Sequence, residues 1–352
     1  VSGPLRGAVG EAVVLDAGDS GTAARFLAAV AAASPGRFRL EGSVRLQERP
    51  IGELVDALRS AGGRIAYGAR EGFLPLSIEG GVLHSAEIAV DAARSSQFVS
   101  ALLLAAIAVE GGLRVRPTGT IASEPYVATT LVVLRDFGHE ADAGPVLGAR
   151  RGARVVGSYE IPGDYSSALP LAAAVGAAGG EVALLGLRWP SSDADAGALE
   201  VLRAMGIRVD ASHESLVVSS SGAAAQAVAV DASGFPDAVP SLAALAMLSP
   251  AESTFSCIGH LRLKESDRIA SIEALARAVG AAARDEDGAL FVSSGSGGAA
   301  ATARARTFRD HRIAMAAAII ALRRPGVLIE DPHCVAKSYP GFFGDLERLA
   351  VR

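Results

Sequence analysis

Apolar positions along this 352-residue chain fall into two alternating textures. Five stretches are Ala-rich and apolar on nearly every side of a helix: GDSGTAARFLAAVAAASPGRFRLEG from Gly18, RSSQFVSALLLAAIAVEGGLRVRPTG from Arg94, GDYSSALPLAAAVGAAGGEVALLG from Gly163, PDAVPSLAALAMLSPAESTFSCIG from Pro236 and RDHRIAMAAAIIALRRPGVLIED from Arg309. Each opens on polar residues and ends at a Gly or Pro turn followed by a short strand. Strands such as Arg37 to Glu41 and Leu113 to Arg116 alternate polar and apolar residues, as a sheet with one wet face should. The starts lie 76, 69, 73 and 73 residues apart. After each comes an amphipathic stretch, predicted as a second helix: ERPIGELVDALRSAG from Glu48, SEPYVATTLVVLRDFG from Ser123, SDADAGALEVLRAMG from Ser192, KESDRIASIEALARAVG from Lys264 and KSYPGFFGDLERLA from Lys337.

The repeating unit is therefore strand, helix, strand, helix, more strand, an α/β pattern. A helix apolar all round belongs inside, and a sheet with one polar face belongs outside. No unit of this kind buries its apolar face alone, so several must pack about a common axis, with three to a domain a natural closure. Five copies make two domains, divided near Glu160 to Gly163: residues 1–161 with two full repeats and residues 162–352 with three, the two closing on a cleft. Val1 to Leu15 reads as the tail of a further, first copy that is missing.

Composition narrows the class. Half the residues are hydrophobic and a fifth charged, enough apolar surface to offset ordering entropy. The longest apolar runs, such as Ala101 to Val109, fall well short of the roughly 18 residues of a membrane span. A net charge of −5 argues against a nucleic-acid partner. The two cysteines, Cys257 and Cys334, are too few for a disulfide scaffold, and no leader pattern opens the chain, so a cytoplasmic location is expected. Only Lys264 and Lys337 are lysines among 33 basic residues, and there is no Asn. Lysines that survive such a bias are candidates for positions that need an ammonium group.

Arg25, Arg49, Lys264, Arg268, Arg312 and Lys337 are all predicted within the first turns of these helices, where the dipole disfavours cations but free N–H groups bind anions. Surface pairing with Glu48, Glu265, Asp267 and Asp310 would account for any one of them. Six at equivalent positions point to a cleft that collects phosphate and carboxylate groups. Asp237 and Glu265 share this neighbourhood, the first readable as a helix cap or a catalytic acid, the second as an ion-pair partner or a catalytic acid. No HExxH, CxxC or paired-His spacing suggests a metal, and Gly18 to Arg25 lacks both nucleotide-loop patterns. Ser95, Ser96 and Ser123 read as phosphate-binding hydroxyls rather than nucleophiles.

At these residues the chain resembles the 5-enolpyruvylshikimate-3-phosphate synthase (3-phosphoshikimate 1-carboxyvinyltransferase) family. The match runs in order through GDSGTAAR, RLQERPIGELVDALR, SSQFVSALLL, SEPYV, GDYSSA, PDA, LRLKESDRI, DHRIAMA and KSYP, of which KESDRI with DHRIAMA is highly specific. The resemblance implies an inside-out α/β barrel of βαβαββ repeats in each of two domains. It implies transfer of the enolpyruvyl group of phosphoenolpyruvate to the 5-hydroxyl of shikimate 3-phosphate, in the shikimate pathway to chorismate and the aromatic amino acids, by a monomer without metal or cofactor. By motif, Glu265 would exchange the C3 proton and Asp237 would accept the hydroxyl proton. Gly21, Arg49, Gln97, Arg268, Arg312 and Lys337 would hold phosphoenolpyruvate. Ser95, Ser96, Gln97, Ser123, Tyr126, Asp237 and Lys264 would hold shikimate 3-phosphate.

Three positions depart from the family pattern. Asp19 stands where GNSGT or GNAGT is usual, and His260 stands where an Asn precedes the KESDR lysine by four residues. The family's DKS segment, whose Lys binds both substrates, has no counterpart in these residues. Two alternatives stay open. One is a UDP-N-acetylglucosamine enolpyruvyl transferase, a relative that commonly has a reactive Cys where this chain has Val44. The other is a non-catalytic anion-binding fragment.

Overall fold

The computed structural model describes residues 11–152, 156–213, 215–295 and 302–350. The chain divides into two compact units, Val1–Tyr159 and Glu160–Arg352, two residues before the expected boundary. Local contacts explain the position. The Tyr159 hydroxyl donates to Asp136 at 3.1 Å and its ring lies 4.8 Å from Phe137, whereas Glu160 pairs with Arg188 at 3.1 Å.

The first unit contains α1 (Gly21–Ala33), α2 (Gly52–Ser60), α3 (Gln97–Ala106) and α4 (Pro125–Asp136). The second contains α5 (Tyr165–Ala178), α6 (Ala198–Ala204), α7 (Val239–Ala246), α8 (Arg268–Val279), α9 (His311–Ala321) and α10 (Phe342–Ala350). Polar starts act as caps: Ser20 accepts from the Ala23 N–H, Asp164 from Ser166, Asp267 from Ala270 and Asp310 from Arg312. Each Ala-rich helix α1, α3, α5, α7 and α9 leads into a strand, and α1, α3, α7 and α9 each supply the crossover that a parallel pair needs.

Three sheets share one strand order. In the first, Val13–Asp16 runs parallel to Gly36–Glu41, which is antiparallel to Leu76–Gly80, which is antiparallel to Arg64–Tyr67. The same order recurs in Ala86–Asp91, Leu113–Thr118, Leu147–Arg150, Glu140–Asp142, and again in Ala229–Asp231, Ser253–Ser256, Ala289–Ser293, Ala282–Glu286. Gly180–Leu185, Ser215–Ser220 and Arg208–Ala211 form a three-stranded antiparallel sheet, and Ala303–Ala305 pairs in parallel with Val327–Ile329. Alternation along these strands buries one face, for example Phe38, Leu40, Leu76 and Ile78. Gly80 passes so close to the Ala31 and Ser34 carbonyls that a Cβ would overlap them, which ties this sheet tightly to the end of α1.

Three expectations are corrected. Val13–Asp16 is the opening strand of the α1 unit rather than the tail of an earlier copy, since it pairs with the strand that follows α1. Residues 1–10 of that proposed tail lie outside the described residues. The α1 helix is not buried all round: Phe26, Leu27 and Val30 are only partly covered, because α1 packs along α3, whereas α5, α7 and α9 pack on one another and His311 to Ile320 are buried throughout. The amphipathic helices also begin later than the sequence suggests. Pro50 restrains Arg49 from helical geometry, and Lys264 has extended backbone, so both precede their helices. Lys337 ends a short 3₁₀ turn, Pro332–Lys337, ahead of α10. Only Arg25, Arg268 and Arg312 lie inside helices.

Candidate active site

In the first unit, polar residues gather at the N-terminal ends of α1, α3 and α4. Arg25, buried on α1, donates to the Gln97 side chain at 2.6 Å and to the Pro50 carbonyl at 3.1 Å. Gln97 passes the contact on to Thr22 at 2.8 Å. Buried Arg49 lies against the same corner, and a Cβ on Gly21 would stand 2.7 Å from its guanidinium carbon and 2.8 Å from Arg25. Glycine is what lets two guanidinium groups approach the start of α1. Beside them the Ser95 hydroxyl accepts from the Gln97 N–H at 3.3 Å, and the Ser96 N–H donates to the Ala122 carbonyl at 3.2 Å. That bond joins the turn before α3 to the turn before α4, where Ser123 takes a left-handed φ of 56° and accepts from the Tyr126 N–H. The sequence-predicted Gly21, Arg49 and Gln97 thus form one group, and Ser95, Ser96, Ser123 and Tyr126 an adjoining one.

The second unit brings together residues from four segments. Arg268, 1% exposed at its side chain, reaches three carboxylates: Asp310 through Nε at 2.9 Å, Asp237 through Nη1 at 2.7 Å and Glu265 through Nη2 at 2.8 Å. Lys264 also donates to Asp237, at 3.3 Å, and Lys337 also donates to Glu265. Arg312 lies 3.8 Å from Asp237 and donates to the Ser166 carbonyl. Its Nε–H is buried and has no partner among the described residues. Among the described residues, no group of three or more His, Cys, Asp or Glu is placed to hold a metal ion, and no helix is long and apolar enough to cross a membrane.

Surface pairing accounts for these cations only in part: Lys337 and Arg268 do pair with Glu265, and Arg268 with Asp310, but Arg268 and Asp310 are not at the surface. Arg25, Arg49, Arg268 and Arg312 are buried, and Glu48 and Asp267 pair with Arg45 and Arg262 instead. Asp237 caps nothing: α7 follows Ala238 without a side-chain cap. Burial would raise the Asp237 carboxyl, but Lys264, Arg268 and Arg312 overcome it and hold the group well below its ordinary range, as a carboxylate. Burial also opposes the charge on Arg268, and Asp310, Asp237 and Glu265 more than restore it. His311, beside Arg312, is pushed down to about 4, first by burial and then by that cation, so its imidazole is neutral at physiological pH. The second cluster can therefore neutralise anionic ligands, and two of its three carboxylates, Asp237 and Glu265, are partly exposed and have different neighbours.

The family model for EPSP synthase (3-phosphoshikimate 1-carboxyvinyltransferase) matches residues 3–346. The chain belongs to the EPSP synthase family. Proteins named 3-phosphoshikimate 1-carboxyvinyltransferase from Pseudoalteromonas translucida and Nitrosomonas europaea are 36% and 37% identical, over 95% and 93% of this chain and 78% and 77% of theirs. An EPSP synthase structure from Acinetobacter baumannii superposes with a TM-score of 0.75 at 26% identity, covering 96% of this chain and 79% of that one. The enolpyruvyl transferase NikO from Streptomyces tendae shares the fold, with a TM-score of 0.70 at 19% identity over 93% of this chain and 76% of that one.

Against the EPSP synthase pattern, Asp19 is accommodated by an outward role. It accepts from the Ser43 hydroxyl, which in turn caps the single helical turn Val44–Gln47. His260 is pushed down to about 4 by burial and then by Lys264, so it offers a neutral donor and acceptor, as an Asn would. Several residues of the second cluster escaped sequence reasoning. From sequence Asp310 reads only as a surface partner of the cations; it is fully buried, caps α9 and anchors Arg268 from 42 positions away. Asp193 and Asp195 lie behind Arg312 with no motif to mark them, and Ser166, within GDYSSA, has no role assigned from sequence.

Proposed function

We propose that this EPSP synthase family member transfers the enolpyruvyl group of phosphoenolpyruvate to the 5-hydroxyl of shikimate 3-phosphate and releases phosphate. Support for the reading comes chiefly from one observation: Asp237 and Glu265 share the buried Arg268, and each also receives one of the chain's two lysines. We assign phosphoenolpyruvate to Gly21, Arg49, Gln97, Arg268, Arg312 and Lys337, and shikimate 3-phosphate to Ser95, Ser96, Gln97, Ser123, Tyr126, Asp237 and Lys264.

Glu265 starts as the acid. Its ion pairs with Arg268 and Lys337 favour the carboxylate, and anionic substrates that engage those cations favour the protonated form. Its proton adds to C3 of phosphoenolpyruvate, the 5-oxygen bonds to C2, and Asp237 takes the hydroxyl proton. In the tetrahedral adduct the C2–O bond to phosphate then breaks. Glu265, now a carboxylate, removes a C3 proton, and the C2–C3 double bond re-forms in the product. Arg268, Arg312 and Lys337 stabilise negative charge on the departing phosphate.

Phosphate release by the protein expressed from its full reading frame, supplied with both substrates, tests the reading. Glu265→Gln keeps the shape but cannot exchange a proton, so kcat should fall roughly 100- to 10,000-fold while shikimate 3-phosphate binding changes much less. Near-normal turnover in a folded Glu265→Gln would refute the assignment.

A further inference from the structure

Behind Arg312 lies an acidic network that the proposed chemistry does not use. Asp195 is fully buried in a 3₁₀ turn, Ala194–Gly197, just before α6, and accepts from the Ser166 hydroxyl on α5. The carbonyl of that same Ser166 accepts from Arg312. Asp193 braces the turn, taking the Asp195 N–H at 2.9 Å on one oxygen and the Tyr165 N–H at 3.2 Å on the other. One serine therefore carries the carboxyl of Asp195 on its side chain and the guanidinium of Arg312 on its backbone.

We propose that Asp195 is a positioning residue for phosphoenolpyruvate binding, which holds Arg312 through Ser166 and weakens the anion site when it ionises. The proposal rests on the assignment of Arg312 to phosphoenolpyruvate. Its direction follows from charge. With Asp195 neutral, Ser166 donates or accepts without adding charge, and the Arg312 cation faces Asp237 and the ligand. With Asp195 ionised, a buried negative charge is added next to the cation that must attract an anion.

The groups that face Asp195 set where this happens. From its own turn comes Asp193, itself beside Asp164, from the start of α5 Ser166, from the segment before α7 Asp237, and from α9 Arg312. Burial first and the Asp237 charge second push the Asp195 carboxyl up to about 7, against the pull of Ser166 and Arg312. The change therefore falls near neutral pH.

Asp195→Asn keeps the shape and the Ser166 contact while fixing the neutral state. Two readouts on the full-reading-frame protein separate the outcomes. The KM for phosphoenolpyruvate, at saturating shikimate 3-phosphate, should rise between pH 6 and 8.5 by roughly three- to tenfold more in the parent than in Asp195→Asn, with kcat moving less than KM. Difference infrared spectra should show a protonated buried-carboxyl band at pH 6 that is lost at pH 8.5 in the parent and is missing from the variant. A band that behaves so while both proteins share one KM profile would overturn the positioning role and leave the transferase reading standing. A band unchanged by the substitution would overturn the titration. Absence of turnover at every pH would remove the transferase reading, and this inference with it.

Discussion

Replacing Arg268 by methionine removes the cation that joins three carboxylates while keeping a side chain of similar length. The three carboxylates are not equally exposed to the loss. Asp237 and Glu265 are about one quarter and one sixth exposed and keep Lys264 and Lys337 as partners. Asp310 is fully buried and would keep the Ser266 hydroxyl at 3.0 Å, the Arg312 N–H at 3.0 Å and the neutral His311 ring at 3.7 Å, none of them a cation's side chain. Removing one partner of a buried ion pair destabilises by about 3–5 kcal/mol, and nearly all of it here should come from Asp310. Trp189, the single tryptophan, belongs to the second unit and packs against its core, so its fluorescence reports on the unit in question during urea unfolding. With a urea slope of roughly 2–3 kcal/mol per molar, the midpoint should fall by about 1–2.5 M. Adding Asp310→Asn, which retains a cap acceptor but no charge, should recover part of the loss. A midpoint shift below roughly 0.3 M, or a loss that Asp310→Asn does not reduce, would refute the claim that the loss of stability comes chiefly from an unpaired Asp310.

Two further outcomes are expected. Asp195 has a folded-state carboxyl near 7 against an ordinary 3.8, so the folded form holds a proton that the unfolded chain has lost; its contribution favours folding below about pH 4 and declines as pH rises to 7. The parent-minus-Asp195→Asn stability difference should change by about 4 kcal/mol over that window, and a flat difference curve in denaturant titrations would contradict it. Phe308 and exposed Arg309 take consecutive left-handed φ angles of 53° and 58° just before α9. Arg309→Asn should stabilise by about 0.5–1 kcal/mol, since Asn tolerates this region better, and an unchanged or lower melting temperature would count against strain there.

What this sequence determined by itself is the local order of the chain. Ala-rich runs such as Ile313 to Ala321 are apolar on nearly every side and belong inside, and strands such as Gly36–Glu41 alternate because one face must be buried. Those preferences are short-range, repeat five times, and can be read without knowing what they pack against. The residue types of the site were legible for a different reason: KESDRI and DHRIAMA bring their chemistry in contiguous blocks. The partners were not. Asp310 reads as a surface partner for any one of the cations, and only the packing of α8 beside α9 buries it and makes it the counter-ion of Arg268. Asp237 reads as a cap or a catalytic acid, and three cations from other segments decide its charge. Asp195 is one acid in a run of Ser, Asp and Ala until burial and Asp237 act on its carboxyl. Helix and strand follow from spacing within a few residues, whereas ionisation and ion pairing depend on distance and dielectric, which exist only once residues 40 or 100 positions apart share a buried space.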